Sequence, residues 1–198
     1  MPLRLLILVV GLTWLSPLPA SADWIVTPFI GFKFAGSTNF VDLEKGAGDT
    51  KLTLGGSAGM LGDGVLGLEV DFEYTPGFFK GSNPTGLVAS SQVTTLMGNV
   101  ILALPRSMTR DSLRPYAVGG LGLMHASIED VLHVFRVSSN LLGLVVGGGA
   151  IGPLTNRTSV RFEVRYFRNL TEDESPVVGF SATKLSFWRA TAGVTLRY

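Results

Sequence analysis

Cysteine is absent from the 198 residues, and histidine occurs only twice. Without cysteine the chain has no disulfide framework, no thiolate metal site and no cysteine nucleophile. An excess of charge of one sign is also missing, since 16 basic residues are matched by 15 acidic ones. A chain this close to neutrality lacks the basic surface that attracts nucleic acid. We therefore expect no cofactor, no metal and no nucleic-acid partner.

A continuous apolar run occurs only at the N-terminus. Met1 to Arg4 form a short basic start, Leu5 to Leu15 are mainly apolar, and small residues follow at Ala20 to Ala22. This order is typical of a secretory signal peptide with its cleavage site, and the run is much shorter than the roughly 20 residues of a spanning helix. We predict that residues 1–22 are a cleaved signal peptide and that residues 23–198 are the exported domain.

The remaining apolar residues are spread along the chain with a period of two. This alternation predicts eight strands, at residues 24–35, 51–62, 65–76, 91–104, 114–127, 140–151, 158–169 and 184–198. Globular strands average about five or six residues, whereas a tilted strand needs roughly 9 to 11 to cross a bilayer. Strand length, the signal peptide and aromatic residues near strand ends favour a membrane barrel. Alternation alone leaves open a soluble, lipocalin-like barrel that binds an apolar ligand, because it does not tell which face is outside.

Charged residues occupy alternate positions in four of these segments. Eight strands leave an interior just wide enough to be filled by side chains, and a buried charge without a partner costs several kcal/mol. The sequence therefore predicts a lumen closed by an ion-pair network rather than an open pore. Its predicted members are Lys33, Glu69, Asp71, Glu73, Arg161, Glu163, Arg165, Arg189 and Arg197.

The predicted connections are short and long in alternation. Short ones fall at 61–64, 105–113 and 152–157, and long ones at 36–50, 76–90, 128–140 and 170–183. Outer-membrane barrels have this asymmetry, with long loops outside the cell and both termini in the periplasm. We expect an extracellular partner, if there is one, to bind the long loops. Their carboxylates predict an acidic rim formed by Asp42, Glu44, Asp49, Glu129, Asp130, Glu172, Asp173 and Glu174.

The segment from Arg114 to Gly122, Arg-Pro-Tyr-Ala-Val-Gly-Gly-Leu-Gly, and a final strand with an aromatic end resemble the small outer-membrane β-barrel proteins of the OmpA/OmpX type, a porin-like family. The resemblance implies an all-β, eight-stranded antiparallel up-and-down barrel in the bacterial outer membrane, surrounded by lipid and lipopolysaccharide. It also implies a structural or adhesion-like role rather than an enzyme. The C-terminal strand would be recognised by the barrel-insertion machinery, although the family usually ends in phenylalanine and this chain ends in Tyr198.

One enzymatic alternative rests on His125, Ser127 and Glu129 at the end of the fifth segment. Residues two apart on a strand share a face, so the histidine could activate the serine while the carboxylate orients the imidazole ring. Outer-membrane lipid A deacylases resemble this in bearing a His-x-Ser pair on a barrel strand, but the asparagine that follows the serine in that family is Ile128 here. A rim histidine without a catalytic role is the simpler interpretation. His133 has no identifiable partner.

Overall fold

A computed structural model of the chain describes residues 23–38, 48–78, 88–109, 112–130, 136–170 and 185–198. Its eight strands are β1 (Trp24–Thr38), β2 (Lys51–Leu61), β3 (Leu66–Pro76), β4 (Val88–Ala103), β5 (Arg114–Asp130), β6 (Arg136–Pro153), β7 (Thr158–Asn169) and β8 (Leu185–Arg197). A four-residue helix, α1 (Arg106–Thr109), lies between β4 and β5. No helix in the described ranges is long and apolar enough to cross a membrane.

The strands form a closed antiparallel barrel in sequence order, with β8 paired to β1. The predicted fold class is therefore confirmed, and most predicted strand ends agree with the structure to within three residues. The predicted third long loop, 128–140, is wrong in its bounds. The ladder between β5 and β6 continues through Ile128↔Val137 and Glu129↔Arg136. Glu129 and Asp130 consequently belong to β5, and only residues 131–135 connect the two strands.

The two ends of the barrel differ. One end carries Asp23, where the described part of the chain begins, Tyr198, and the connections 62–65, 104–113 and 154–157. There the backbone N–H of Tyr198 donates to the carbonyl of Trp24 at 2.9 Å, which joins the last residue to the start of β1. We call this the terminus end. We call the other end the loop end; the strand ends there are joined in sequence by residues 39–50, 77–87, 131–135 and 170–184. Apart from Asp49, Glu129 and Asp130, the predicted acidic loop residues lie outside the described residues, as does His133.

In the strands that have one charged and one apolar face, the apolar face points outward. On β3, Phe72 is 49% exposed while its neighbour Asp71 is fully buried. The same alternation runs along β7, where Phe162 and Val164 are exposed and the charged residues on either side of each are buried. A soluble barrel would have the opposite arrangement, with its polar face in water. The lipocalin-like alternative is therefore wrong.

Three layers of side chains fill the interior. The layer nearest the terminus end is apolar and consists of Ile25, Leu61, Ile101, Ala103, Tyr116, Val118 and Ile151. The layer nearest the loop end is also apolar and consists of Phe78, Val93, Met97, Met124, Ala126, Leu141, Val145, Phe167, Leu185 and Phe187. Gly77 has a φ of 65°, a value that favours glycine, and so turns the chain after β3 until Phe78 covers the lumen. Charged residues occupy the layer between the two.

Candidate functional site in the charged layer of the lumen

Strands β3 and β7 do not neighbour each other, so the middle layer is built across the lumen. Glu69 of β3 accepts hydrogen bonds from Arg161 and from Arg165, the latter at 2.7 Å between Arg165 Nη2 and Glu69 Oε1. Arg165 also lies 3.5 Å from a carboxylate oxygen of Asp71. The guanidinium groups of Arg161 and Arg165 are almost completely buried. We call this set of paired groups the charged layer.

Arg189 of β8 completes the pairing with β3. Its Nη1 lies 2.9 Å from Asp71 Oδ1 and 2.8 Å from Glu73 Oε2. The guanidinium carbon also lies 4.8 Å from the ring centre of Phe29 and 5.0 Å from that of Phe167. The cation is thus paired with carboxylates on its edge and packed against aromatic rings on its faces, an environment that suits arginine better than lysine.

Glu163 joins the three arginines. Its carboxylate lies 3.0 Å from Arg161 Nη2, 2.8 Å from Arg165 Nη2 and 3.0 Å from Arg189 Nη2. The hydroxyl of Tyr116 donates to Glu163 at 2.7 Å and accepts from Arg161 Nε at 2.7 Å. The Glu163 carboxylate therefore links β7 to β8, and the hydrogen bond from Tyr116 connects it to β5 as a third strand.

Uncharged donors occupy the remaining lone pairs of the carboxylates. Glu73 accepts from Thr53 at 2.6 Å and from Thr75 at 3.1 Å. Asn99 donates to Glu69 at 3.3 Å, and Thr191 donates to Glu163 at 3.3 Å. These hydrogen bonds offset part of the free-energy cost of burying the carboxylates.

Lys33 and Arg197, the two other residues predicted for this network, occupy different places. Lys33 is fully buried on the loop side of the charged layer, where Nζ donates to the carbonyl of Phe78 at 3.1 Å and lies 3.9 Å from its ring centre. The predicted place of Arg197 in this network needs correction, because its Nε lies 3.3 Å from Asp23 Oδ2 at the terminus end. A strand rises about 3.3 Å per residue, so Arg197 is roughly 26 Å along β8 from Arg189 and out of reach of the charged layer.

The charged layer is tightly packed. The gap beside Arg161 and Glu163, which is also bordered by Thr27, Ser57 and Thr191, has no room for a water molecule. Within the described part of the chain, no group of His, Asp or Glu side chains has the arrangement of a metal site. Chemically, the layer can hold opposite strands together and block the lumen, but it presents no open ligand position.

Tyr116 and Asn99 are members of the charged layer that the sequence does not reveal. Both faces of β5 are apolar or small, so alternation does not tell which face is inside. The signal that could have found Tyr116 is Arg114, two residues earlier. Arg114 is buried in the structure, and residues two apart share a strand face, so placing this charge inside would have placed Tyr116 inside as well. Asn99 has an equally weak signal, because β4 contains no other amide or charge near it.

His125 and Ser127 lie on the outer face of β5, near the loop end. The ring nitrogen Nδ1 of His125 is 2.7 Å from the amide oxygen of Asn140 on β6. In the described residues, Asn140 rather than Ser127 is the hydrogen-bond partner of this histidine. The side chain of Glu129 lies outside the described residues. The structure thus gives His125 an amide partner that the sequence interpretation did not include.

Comparison with known proteins gives a family and a set of similar folds. The model of the outer membrane protein beta-barrel domain matches residues 7–197. Neisserial surface protein A has a TM-score of 0.64 at 17% identity, covering 90% of this chain and 99% of its own. OprG of Pseudomonas aeruginosa has a TM-score of 0.56 at 18% identity, covering 90% and 97% respectively.

The N-terminal barrel domain of Pseudomonas aeruginosa OprF has a TM-score of 0.55 at 16% identity, covering 90% of this chain and 99% of that domain. No curated protein matches the sequence. At these identities the likeness to solved structures concerns the fold alone, whereas the family model spans nearly the whole chain. The chain belongs to the outer membrane protein beta-barrel domain family.

Proposed function

We propose that this bacterial outer-membrane barrel is a structural or surface-interaction protein that passes no solute through its lumen. The observation that carries the proposal is the charged layer, in which Arg161, Arg165 and Arg189 are each paired with two or more carboxylates. A solute could pass only after several of these pairs separated. Each buried charge left without its partner would cost several kcal/mol.

The two apolar layers strengthen this argument. They lie on either side of the charged layer, and both consist of buried side chains. In either layer a hydrated ion would lose water contacts that the mainly apolar side chains do not replace, which is unfavourable. A closed interior leaves the outer face and the loop end as the surfaces on which the protein can act.

The loop end is the better candidate for interaction, because two of its connections are long and acidic. The stretches 39–50 and 170–184 contain six carboxylates, namely Asp42, Glu44, Asp49, Glu172, Asp173 and Glu174. Long loops on a rigid barrel are the usual carriers of binding function. A basic partner surface would fit their charge. The name of the similar Neisserial surface protein A agrees with a surface role.

Export and orientation belong to the same proposal. Residues 1–22 act as a cleaved signal peptide, the terminus end faces the periplasm and the loop end faces outward. The exposed apolar side chains on the outer face of the barrel, its lipid-facing belt, contact phospholipid and lipopolysaccharide, and the C-terminal strand is the segment that the insertion machinery recognises.

The test has two parts. The protein should sediment with the outer membrane and migrate differently when boiled and unboiled, and it should give no steady conductance in a planar bilayer. Cells that produce it should adhere to immobilised basic matrix proteins. Replacing residues 39–47 and 171–183 by Gly-Ser linkers of equal length should abolish adherence while folding, judged by gel mobility, is kept. A steady pore current, or adherence unchanged by the loop replacement, would refute the corresponding half of the proposal.

A lipid hydrolase is a second candidate, favoured by one observation. His125 and Ser127 share the lipid-facing side of β5, and the ring of His125 is held by Asn140. An oriented histidine on that surface could reach a lipid ester. Against it, the serine is not hydrogen-bonded to the histidine in the described structure, so we retain the non-enzymatic function.

A further inference from the structure

A second group of arginines lies around a small cavity at the terminus end. Arg106 comes from α1, Arg114 begins β5 and Arg197 ends β8. The cavity has a volume of about 20 Å³. We call it the mouth pocket, and its polar lining consists of Arg106, Thr109, Ser112, Arg114, Ser159 and Arg197.

Arg114 is the buried member of this group, with only 4% of its surface exposed. Its Nε donates to the carbonyl of Leu104 at 2.7 Å, and its two terminal nitrogens donate to the carbonyls of Gly62 at 2.9 Å and Gly64 at 2.5 Å. A guanidinium group has five N–H donors, so two remain for another acceptor. No carboxylate pairs with Arg114 among the residues that the structure describes.

The other two arginines do have acidic partners. Arg106 Nε lies 3.2 Å from Asp63 Oδ1, and Arg197 Nε lies 3.3 Å from Asp23 Oδ2. Among the described side chains of the mouth pocket, three arginines therefore lie against two aspartates, and the arginines are in excess by one. The excess positive charge is that of Arg114, the most buried of the three, where an unpaired cation is most unfavourable.

A hydroxyl group gives an independent indication that an acceptor belongs in the pocket. Thr109 Oγ1 is buried and has no hydrogen-bond partner in the structure. Buried polar atoms are nearly always hydrogen-bonded, so each exception calls for a missing partner. The hydroxyls of Ser112 and Ser159 line the same cavity. Donors thus converge from α1, β5, β7 and β8.

We infer that the mouth pocket binds an oxyanion and that the anion is a phosphate group. Guanidinium groups bind phosphate oxygens with paired N–H donors, and donors from several directions suit a tetrahedral anion better than a planar carboxylate. A water molecule needs about 10–15 Å³, and a phosphate oxygen is of similar size. The cavity of about 20 Å³ can therefore admit one phosphate oxygen while the rest of the phosphate group stays outside it. The phosphate could be free or belong to a phospholipid headgroup of the inner leaflet. This inference is independent of any function at the loop end.

The test uses protein extracted from outer membranes into a maltoside detergent, which carries no phosphate. Inorganic phosphate is titrated calorimetrically at constant ionic strength against chloride. Wild type should bind, and Arg106→Gln and Thr109→Val should each weaken binding by about tenfold or more. Arg157→Gln is the matched control, because it removes the same charge from the neighbouring 154–157 turn, outside the pocket lining. Arg114 is left unchanged because its bonds hold the turns together.

A second arm distinguishes the two sources of phosphate. Native mass spectrometry is run with phosphatidylglycerol and with diacylglycerol, which has no phosphate. Retention of phosphatidylglycerol that is lost in Arg106→Gln assigns the pocket to a lipid headgroup, whereas binding of inorganic phosphate without lipid retention assigns it to the free anion. The inference is overturned if wild type binds no phosphate in either arm, or if Arg157→Gln weakens binding as much as Arg106→Gln.

Discussion

The charged layer and the mouth pocket each contain three arginines inside one barrel, yet the two groups are arranged differently. In the charged layer every guanidinium meets at least two carboxylates and is buried. At the terminus end, Arg106 and Arg197 each meet one partly exposed aspartate, and Arg114 meets only carbonyls. The difference teaches that arginine links opposite strands where carboxylates enclose it, whereas Arg114, which meets only carbonyls, keeps a positive charge without an acidic partner among the described residues.

The largest expected effect comes from removing one arginine of the charged layer. Arg165→Leu leaves Glu69, Asp71 and Glu163 short of a partner in the interior, and we expect a loss of about 3–5 kcal/mol in the free energy of unfolding. Urea denaturation in micelles, followed by the mobility of unboiled samples, measures it.

Arg197→Leu is the matched control for this change. Its ion pair with Asp23 is partly exposed, so we expect a loss of at most about 1 kcal/mol. Equal urea resistance of wild type and Arg165→Leu would contradict the claim that the charged layer stabilises the folded barrel.

We expect a smaller loss in the free energy of unfolding when the charged layer is crowded by an added methyl group than when one of its charges is removed. A Cβ added at Gly120 would meet the carbonyl of Gly98 and the side chain of Asn99, which donates to Glu69. Gly120→Ala should therefore cost about 1–3 kcal/mol in the same unfolding measurement.

The adjacent glycine supplies the control. A Cβ at Gly119 would meet the Val145 carbonyl oxygen at 3.9 Å, an ordinary contact on the outer face. Gly119→Ala should change stability little. If both substitutions cost the same, crowding of the charged layer is not the cause.

Removing the hydroxyl group of Tyr116 should lower the free energy of unfolding by as much as Gly120→Ala or by less. Tyr116→Phe deletes a donor to Glu163 and an acceptor for Arg161, and hydrogen bonds to charged groups contribute about 1.5–3 kcal/mol. Tyr74→Phe removes an exposed hydroxyl that bonds Gln92 at 2.9 Å, so it should be nearly neutral. Equal unfolding midpoints for the two variants would contradict the bridging role of Tyr116.

The smallest expected effect lies outside both arginine groups. His125→Ala removes an exposed hydrogen bond to Asn140, and we expect no change in barrel stability and none in lipid A acylation. Mass spectrometry of lipid A from cells with and without the wild-type protein and the variant measures this. A deacylated species that requires the protein and disappears with His125→Ala would establish the hydrolase instead.

Much of the fold could be predicted because it depends on local alternation. The carboxylates on β3 and the charges on β7 each occupy every second position, which places them on one face whatever the rest of the chain does. The strand ends were harder, since β5 and β6 extend beyond the lipid-facing belt into a rim where apolar residues no longer mark the pattern.

The period-two pattern by itself determines that the chain forms strands and which charges share a face, because side-chain direction in a strand depends only on position. Only the tertiary structure decides which charges meet. Glu69 pairs with Arg161 and Arg165 because barrel closure brings β3 opposite β7, whereas Arg197, on the same inner face as Arg189, is carried to Asp23. Distance along a strand is local, but the register that joins distant strands is set by closing all eight around one interior.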